Sequence, residues 1–106
     1  MISQTELIKK IHDTHRVSPI DGDFSGVDLR GANLSGISLS MVSFAAANLD
    51  GANLTGCQFR QVDLTNTSFK NAKLDRTRFE LVNAGSASFV GAQASESRWE
   101  LYLSRE

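Results

Sequence analysis

The chain of 106 residues contains one cysteine, Cys57, so no intramolecular disulfide can staple it. No apolar run approaches the ~18 residues that a membrane-spanning helix needs. Met1 to Lys10 lacks the apolar core of a secretory signal. Nor is one sign of charge in excess: 11 basic residues stand against 12 acidic ones, a formal net charge of −1. A balance so near neutrality exerts no bulk pull on nucleic acid or on an anionic membrane surface. Together these absences predict one soluble, cytoplasmic domain that binds neither nucleic acid nor membrane. Without a secretory signal, the sequons Asn33-Leu34-Ser35, Asn53-Leu54-Thr55 and Asn66-Thr67-Ser68 are by-products of repetition.

What the sequence does have is a period. Stepping by five from Phe24 to Trp99 meets sixteen positions, fourteen of them large and apolar and the other two, Ala84 and Ala94, alanine. This position is termed the centre. Two residues before each centre runs a second series of small or β-branched residues, among them Ala32, Ile37, Val42, Ala52, Cys57, Val62, Thr67 and Thr77. The residue between the two series is mostly polar, as at Asp28, Asn33, Gln58 and Asp63. Six of the eight glycines sit two residues after a centre.

A five-residue step turns a helix by ~140°, which draws no apolar stripe along it. A long strand needs a period of two, which five breaks at every unit. A short extended piece followed by a corner satisfies both facts. The centre and the residue two before it then point inward, the residue between them points outward, and glycine suits the corner because it tolerates positive φ.

The units Val27-Asp28-Leu29-Arg30-Gly31, Ala32-Asn33-Leu34-Ser35-Gly36 and Ala47-Asn48-Leu49-Asp50-Gly51 resemble the pentapeptide-repeat family motif, roughly Ala-(Asp/Asn)-Leu-x-x. The resemblance runs over residues 22–101 without a break in register. It implies an all-β fold, a right-handed quadrilateral β-helix with four repeats to each coil. Four coils follow, at about 22–41, 42–61, 62–81 and 82–101, with residues 1–21 as an N-terminal capping helix and linker and 102–106 as a tail. Stacking on this register places Leu34, Leu54, Leu74 and Ala94 in one column, and Leu39, Phe59, Phe79 and Trp99 in another.

The two ends of such a stack need covering. Ser3-Gln4-Thr5-Glu6 is a capping box for a helix to about His15, whose Leu7, Ile8 and Ile11 would lie over coil one. The other end is barer. Coil four has the small centres Ala84 and Ala94, yet the chain finishes with Trp99, Leu101, Tyr102 and Leu103, which are apolar for a free tail. The expected arrangement is a homodimer through residues 84–103, with these four residues at the interface. The resemblance points the same way, since family members often dimerise through this end.

No catalytic, cofactor-binding or metal site is expected. His12 and His15 stand three apart on the expected helix but have no evident third ligand. Cys57 falls at an inward position and reads as core. The Asp, Asn and Ser residues recur at outward positions without a paired acid and base. The glycines mark corners with no helix after them, so they form no phosphate loop. Two surface features remain as candidates for interaction with a protein partner. One side carries Arg60, Arg78, Glu80, Arg98 and Glu100, read either as a solvated salt-bridge lattice or as a contact patch. The last corner of each coil carries Met41, Gln61, Leu81 and Leu101, an apolar edge that is either a binding surface or the seat of the chain's own termini. The functional expectation is a non-enzymatic protein–protein interaction or scaffold module. The alternative implied by the resemblance is a DNA mimic that protects a type II topoisomerase such as gyrase. That role needs a strongly acidic surface, whereas residues 22–101 hold eight acidic and seven basic residues.

Overall fold

The computed structural model describes residues 22–101, together with Glu6 and Lys9. The chain winds in coils of twenty residues, each laid parallel on the one before. Short strands β1 (Gly22–Asp23) and β3 (Val42–Ser43) pair on one side. On another side β2 (Ser38–Ser40), β4 (Gln58–Arg60), β5 (Arg78–Val82) and β6 (Arg98–Leu101) form a parallel four-stranded sheet in that order. Its register sets Leu39 beside Phe59, Phe59 beside Phe79, and Phe79 beside Trp99. The remaining sides are held by single parallel bridges at the same spacing, such as Asn33 to Asn53 and Asn53 to Lys73. The four-sided solenoid with twenty residues to a coil is therefore the one that the resemblance implies.

Alternation decides what is buried. In coils one to three every centre is buried, from Phe24 to Phe79, and so is nearly every residue of the second series. The stacked coils bring like onto like. Phe24 stacks on Phe44 with ring centroids 5.4 Å apart, Phe59 on Phe79 at 5.3 Å, and Phe69 on Phe89 at 4.9 Å. These separations are close to the ~4.8 Å between neighbouring strands, so the backbone ladder itself brings the rings into contact. The polar members of the second series are satisfied inside the core. Thr67 Oγ1 donates to the Phe44 carbonyl at 2.8 Å, Thr77 Oγ1 to that of Leu54 at 2.7 Å, and Cys57 Sγ to that of Leu34 at 2.9 Å.

The corners show why this motif favours Asp or Asn before the centre. Asn53 Oδ1 accepts the Thr55 N–H at 3.1 Å, and Asn33, Asn48, Asp63 and Asn83 do the same for the residue two further on. These are Asx-turns. The outward Asp and Asn column is thus more than the solvated surface expected of it, because it closes corners. After the centres outside the four-stranded sheet comes a β-turn of type II character, as where Ala52 N donates to Leu49 O at 3.0 Å. The third turn residue has positive φ at every corner from Gly26 to Glu96, and nine of those residues are not glycine. The glycines lie at φ 69 to 76° and the others at 53 to 60°. A Cβ holds the backbone near the left-handed minimum of about +57°, whereas glycine relaxes towards the ideal turn value of about +80°. No β-branched residue occupies a corner, as this geometry demands.

The sheet-bearing side has Ser38, Gln58, Arg78 and Arg98 before its centres, with no Asp or Asn in any coil. Elsewhere Ser43, Ser68, Ser88, Lys73 and Gln93 also replace the Asx residue; there Ser43 Oγ accepts the Ala45 N–H at 3.2 Å, and Asp50 and Asp75 of the preceding coil accept the N–H groups of Lys70 at 3.0 Å and Ser95 at 2.8 Å. The one side that never has an Asx-turn is the side that forms the four-stranded sheet.

The ends differ. The centres of coil one, Phe24, Leu29, Leu34 and Leu39, are at most 2% exposed. Glu6 and Lys9 are helical and exposed; the rest of the expected capping helix, and its seat on coil one, lie outside the described residues. Coil four is open: Ala84 and Phe89 are half-buried, and Ala94 and Trp99 are exposed.

Candidate functional site

At this open end Leu74, Ala84, Phe89, Ala92, Ala94 and Trp99 line an apolar depression of about 410 Å³. Its origin is a size mismatch. Leu54 and Leu74 fill their column in coils two and three, and Ala94 does not; Ala84 likewise follows Phe44 and Leu64. The walls are rigid. Trp99 stacks on Phe79 at 4.0 Å and meets Phe89 edge-on at 5.0 Å, with the rings 88° apart. The indole Nε1 donates to Ser97 Oγ at 2.9 Å, which fixes the ring while leaving it 36% exposed. Val90 stands beside Phe89 and is 69% exposed. It occupies a column that holds Arg30, Asp50 and Lys70 in the earlier coils, and that break from charge to apolar was a signal the sequence analysis passed over.

Of the four residues expected at a dimer interface, Trp99 therefore lines the depression. Tyr102 and Leu103 lie outside the described residues, as does the side chain of Leu101. The backbone of Leu101 is described, and it departs from the expected register. Leu101 pairs with Val82, and Leu81 is skipped as a bulge after the Glu80–Glu100 pair. The apolar corner column therefore ends at Leu81.

Within that column Met41 is 61% exposed and Leu81 40%, so neither is covered, and the exposed Gln61 separates them. Gln61 and Leu81 border a shallow surface groove with Val62, Asp63 and Asn83. On the sheet side, the salt-bridge lattice reduces to a single ion pair among the described residues, Arg78 with Glu80 at 3.9 Å. Arg60 and Arg98 join no ion pair there, and the parallel register sets Arg98 directly beside Arg78. This is a loosely paired, solvated surface. A tighter pair lies elsewhere, where Arg30 Nε and Nη2 donate to Asp28 at 2.9 and 2.8 Å and hold its carboxyl below the usual range.

Cys57 is fully buried, and desolvation pushes its thiol up to about 11, so it is protonated at neutral pH and inert as a nucleophile. His12 and His15 lie outside the described residues. Among the described residues no group of His, Cys, Asp and Glu could hold a metal ion, and no helix is long and apolar enough to cross a membrane.

Parallel coils of twenty residues, filled by two inward columns on each side, define the class of quadrilateral β-solenoids. The family model for pentapeptide repeats matches residues 23–61, 43–83 and 63–98. The chain belongs to the pentapeptide-repeat family, and its β-helix is right-handed. Among solved structures it is similar to HetL, a pentapeptide-repeat protein involved in heterocyst differentiation regulation from the cyanobacterium Nostoc sp. strain PCC 7120. The identity is 28% and the TM-score 0.62, over 80% of this chain and 41% of HetL. The chain thus spans less than half the length of that protein. It is also similar to Rfr23, a pentapeptide-repeat protein from the cyanobacterium Cyanothece 51142, at 22% identity over 79% of this chain and 67% of that one, with a TM-score of 0.45. No curated protein matches the chain.

Proposed function

We propose that this chain is a non-enzymatic protein-interaction module that works through the open C-terminal end of its solenoid. The observation that carries the reading is the apolar depression of about 410 Å³ walled by Phe89 and Trp99. Every other coil covers its inward residues with the next coil, and coil four leaves Ala94 and Trp99 exposed. Aromatic anchors around an unfilled apolar hollow are the usual core of a protein contact. The surface elsewhere suits a scaffold: rigid, hydrogen-bonded at its corners and mixed in charge. The exposed Met41 and Leu81, with Arg60, Arg78 and Arg98, are a secondary contact surface in this reading. Mimicry of duplex DNA gains no support, because three of the four sides interleave acidic and basic residues.

Ala94→Arg tests the proposal. Ala94 is exposed and contributes little to the core, so the substitution fills the hollow with a charged chain while the fold persists. The circular dichroism spectrum should be unchanged. Light scattering at tens of micromolar, and recovery of bound proteins from the native host, should both show association weakened relative to wild type. Equal association of the two proteins in both assays overturns the reading.

A further inference from the structure

The sheet-bearing side differs from the other three in what its outward groups do. Elsewhere the carboxylates are committed to the fold. Asp23, Asp28 and Asp63 each accept an N–H at their own corner, and Asp50 and Asp75 accept N–H groups of the next coil. On the sheet side, the side chains of Ser38, Ser40, Gln58, Arg60 and Arg98 make no hydrogen bond or ion pair among the described residues, and Arg78 has only its 3.9 Å pair with Glu80. These uncommitted groups converge. Two outward columns flank the buried centres Leu39 and Phe59 and enclose a cleft of about 250 Å³, walled by Ser38, Ser40, Gln58, Arg60, Arg78 and Glu80. All of these walls but Glu80 carry N–H or O–H donors. The register sets Arg60 beside Glu80 and diagonal to Arg78, and it sets Arg98 directly beside Arg78. With strands ~4.8 Å apart and a rise of ~3.3 Å per residue, the backbones of Arg60 and Arg78 stand about 8 Å apart, within reach of one carboxylate from both guanidinium groups. Like charges placed side by side repel, so Arg78 and Arg98 are relieved by an anion between them.

We propose that this cleft binds an extended acidic segment of a partner protein, with one carboxylate held between Arg60 and Arg78 and a second, two residues further on, between Arg78 and Arg98. In an extended chain the side chains of residues i and i+2 share a face at ~6.6 Å, a spacing that the long arginine side chains accommodate. The four-stranded sheet holds both columns rigidly, so the donors are arranged before the segment arrives. The inference rests on the reading of the chain as an interaction module, but it uses a different surface from the open end. Neither the chain's own termini nor a second copy supplies the occupant. In the whole sequence only Asp21 and Asp23 are carboxylates two residues apart, and Asp23 already accepts the Ser25 N–H at 3.0 Å. A single-stranded nucleic acid fits less well, because its bases need aromatic platforms and the ring beneath this cleft, Phe59, is buried. Glu80 stands in the cleft wall and opposes an incoming carboxylate, so its charge tempers the affinity and offers a second handle on the site.

The probe is an octapeptide of alternating aspartate and serine, with one of alternating asparagine and serine as the neutral control. Each is added at low ionic strength to the isotope-labelled full chain. Nuclear magnetic resonance follows the Nε–H signals of Arg60, Arg78 and Arg98 and the carboxamide of Gln58. The acidic peptide should shift these signals saturably, and the neutral peptide should not. Arg60→Gln should weaken binding by roughly twofold to fivefold, and Glu80→Gln should strengthen it by a similar factor. Salt at about 0.5 M should abolish it. Neither Arg60 nor Glu80 is in the core, so the circular dichroism of both variants should match wild type. Absence of saturable shifts at these groups, or binding unchanged in both variants, overturns the inference. So does inorganic phosphate that binds as tightly as the peptide at equal ionic strength, which would make the cleft a site for small anions. Tighter binding of a single-stranded oligonucleotide overturns it as well. Ala94→Arg should leave peptide binding unchanged, so this inference and the open-end reading can each fall without the other.

Discussion

Replacing Phe79 by alanine is the sharpest test of the stacked columns. Phe79 is 0% exposed and lies between Phe59 at 5.3 Å and Trp99 at 4.0 Å. A buried Phe→Ala change costs roughly 3–5 kcal/mol, and each aromatic pair adds about 0.5–1.5 kcal/mol beyond area burial. Loss of two stacking partners puts Phe79→Ala at the upper end, about 4–5 kcal/mol. Phe89 also has two aromatic neighbours, Phe69 stacked at 4.9 Å and Trp99 edge-on at 5.0 Å, but it is only half-buried, so Phe89→Ala should cost about half as much. Urea unfolding followed by far-ultraviolet circular dichroism measures both. Because stability in a repeat stack is a sum of nearest-neighbour terms, Phe79→Ala should also detach coil four from coil three and lower the m-value, whereas Phe89→Ala should not. Equal costs for the two variants, or a cost below about 1.5 kcal/mol for Phe79→Ala, would refute the continuous column and mean that coil four is not stacked in register.

Three further outcomes follow. Cys57 should resist thiol reagents at pH 8 until the chain unfolds. Since burial raises its pKa from the usual thiol value to about 11, the folded state retains a proton that the unfolded state releases; stability should be level below about pH 8.5 and fall by roughly 3 kcal/mol towards pH 11, a loss absent in Cys57→Ala. Asn53→Ala removes the 3.1 Å bond to Thr55 N and should cost about 1 kcal/mol, against roughly 2–5 kcal/mol for its buried neighbour Leu54→Ala; equal costs would contradict the inward and outward alternation. Leu81→Asn should raise stability by about 0.5 kcal/mol in thermal unfolding, because Asn tolerates the φ of 54° better than leucine, and a loss would mean that Leu81 packs against something.

Most of the fold was legible because the five-residue period acts on side chains one at a time. Whether Leu34 points in and Asn33 points out depends on local alternation, and the column Leu34, Leu54, Leu74 then follows from the coil length. The role of Asn33 and Asn53 was missed because a polar residue on an outward column looks the same in sequence whether it is solvated or closes an Asx-turn. The corners at Met41, Gln61 and Leu81 were located correctly, but not the break that follows them. Leu101 has the right spacing to extend the column, but its strand skips Leu81 and pairs with Val82. Trp99 falls in the column of Leu39, Phe59 and Phe79 by its spacing alone. The depression beside it needed the coordinates, since it arises from Ala84 and Ala94 lying at the same end of two different columns.

The direction of the backbone ladder was invisible in the sequence for a more general reason: it belongs to the backbone and is the same whatever side chains are present. In an antiparallel edge each residue that faces outward offers one N–H and one C=O, so the edge is balanced and can pair with itself. Here a corner N–H joins the centre N–H on the outgoing edge of every repeat, and the two carbonyls that receive them face the incoming edge of the next coil, as Asp50 and Asn48 do for Gly31 and Leu29. The imbalance cancels wherever one coil lies on the next.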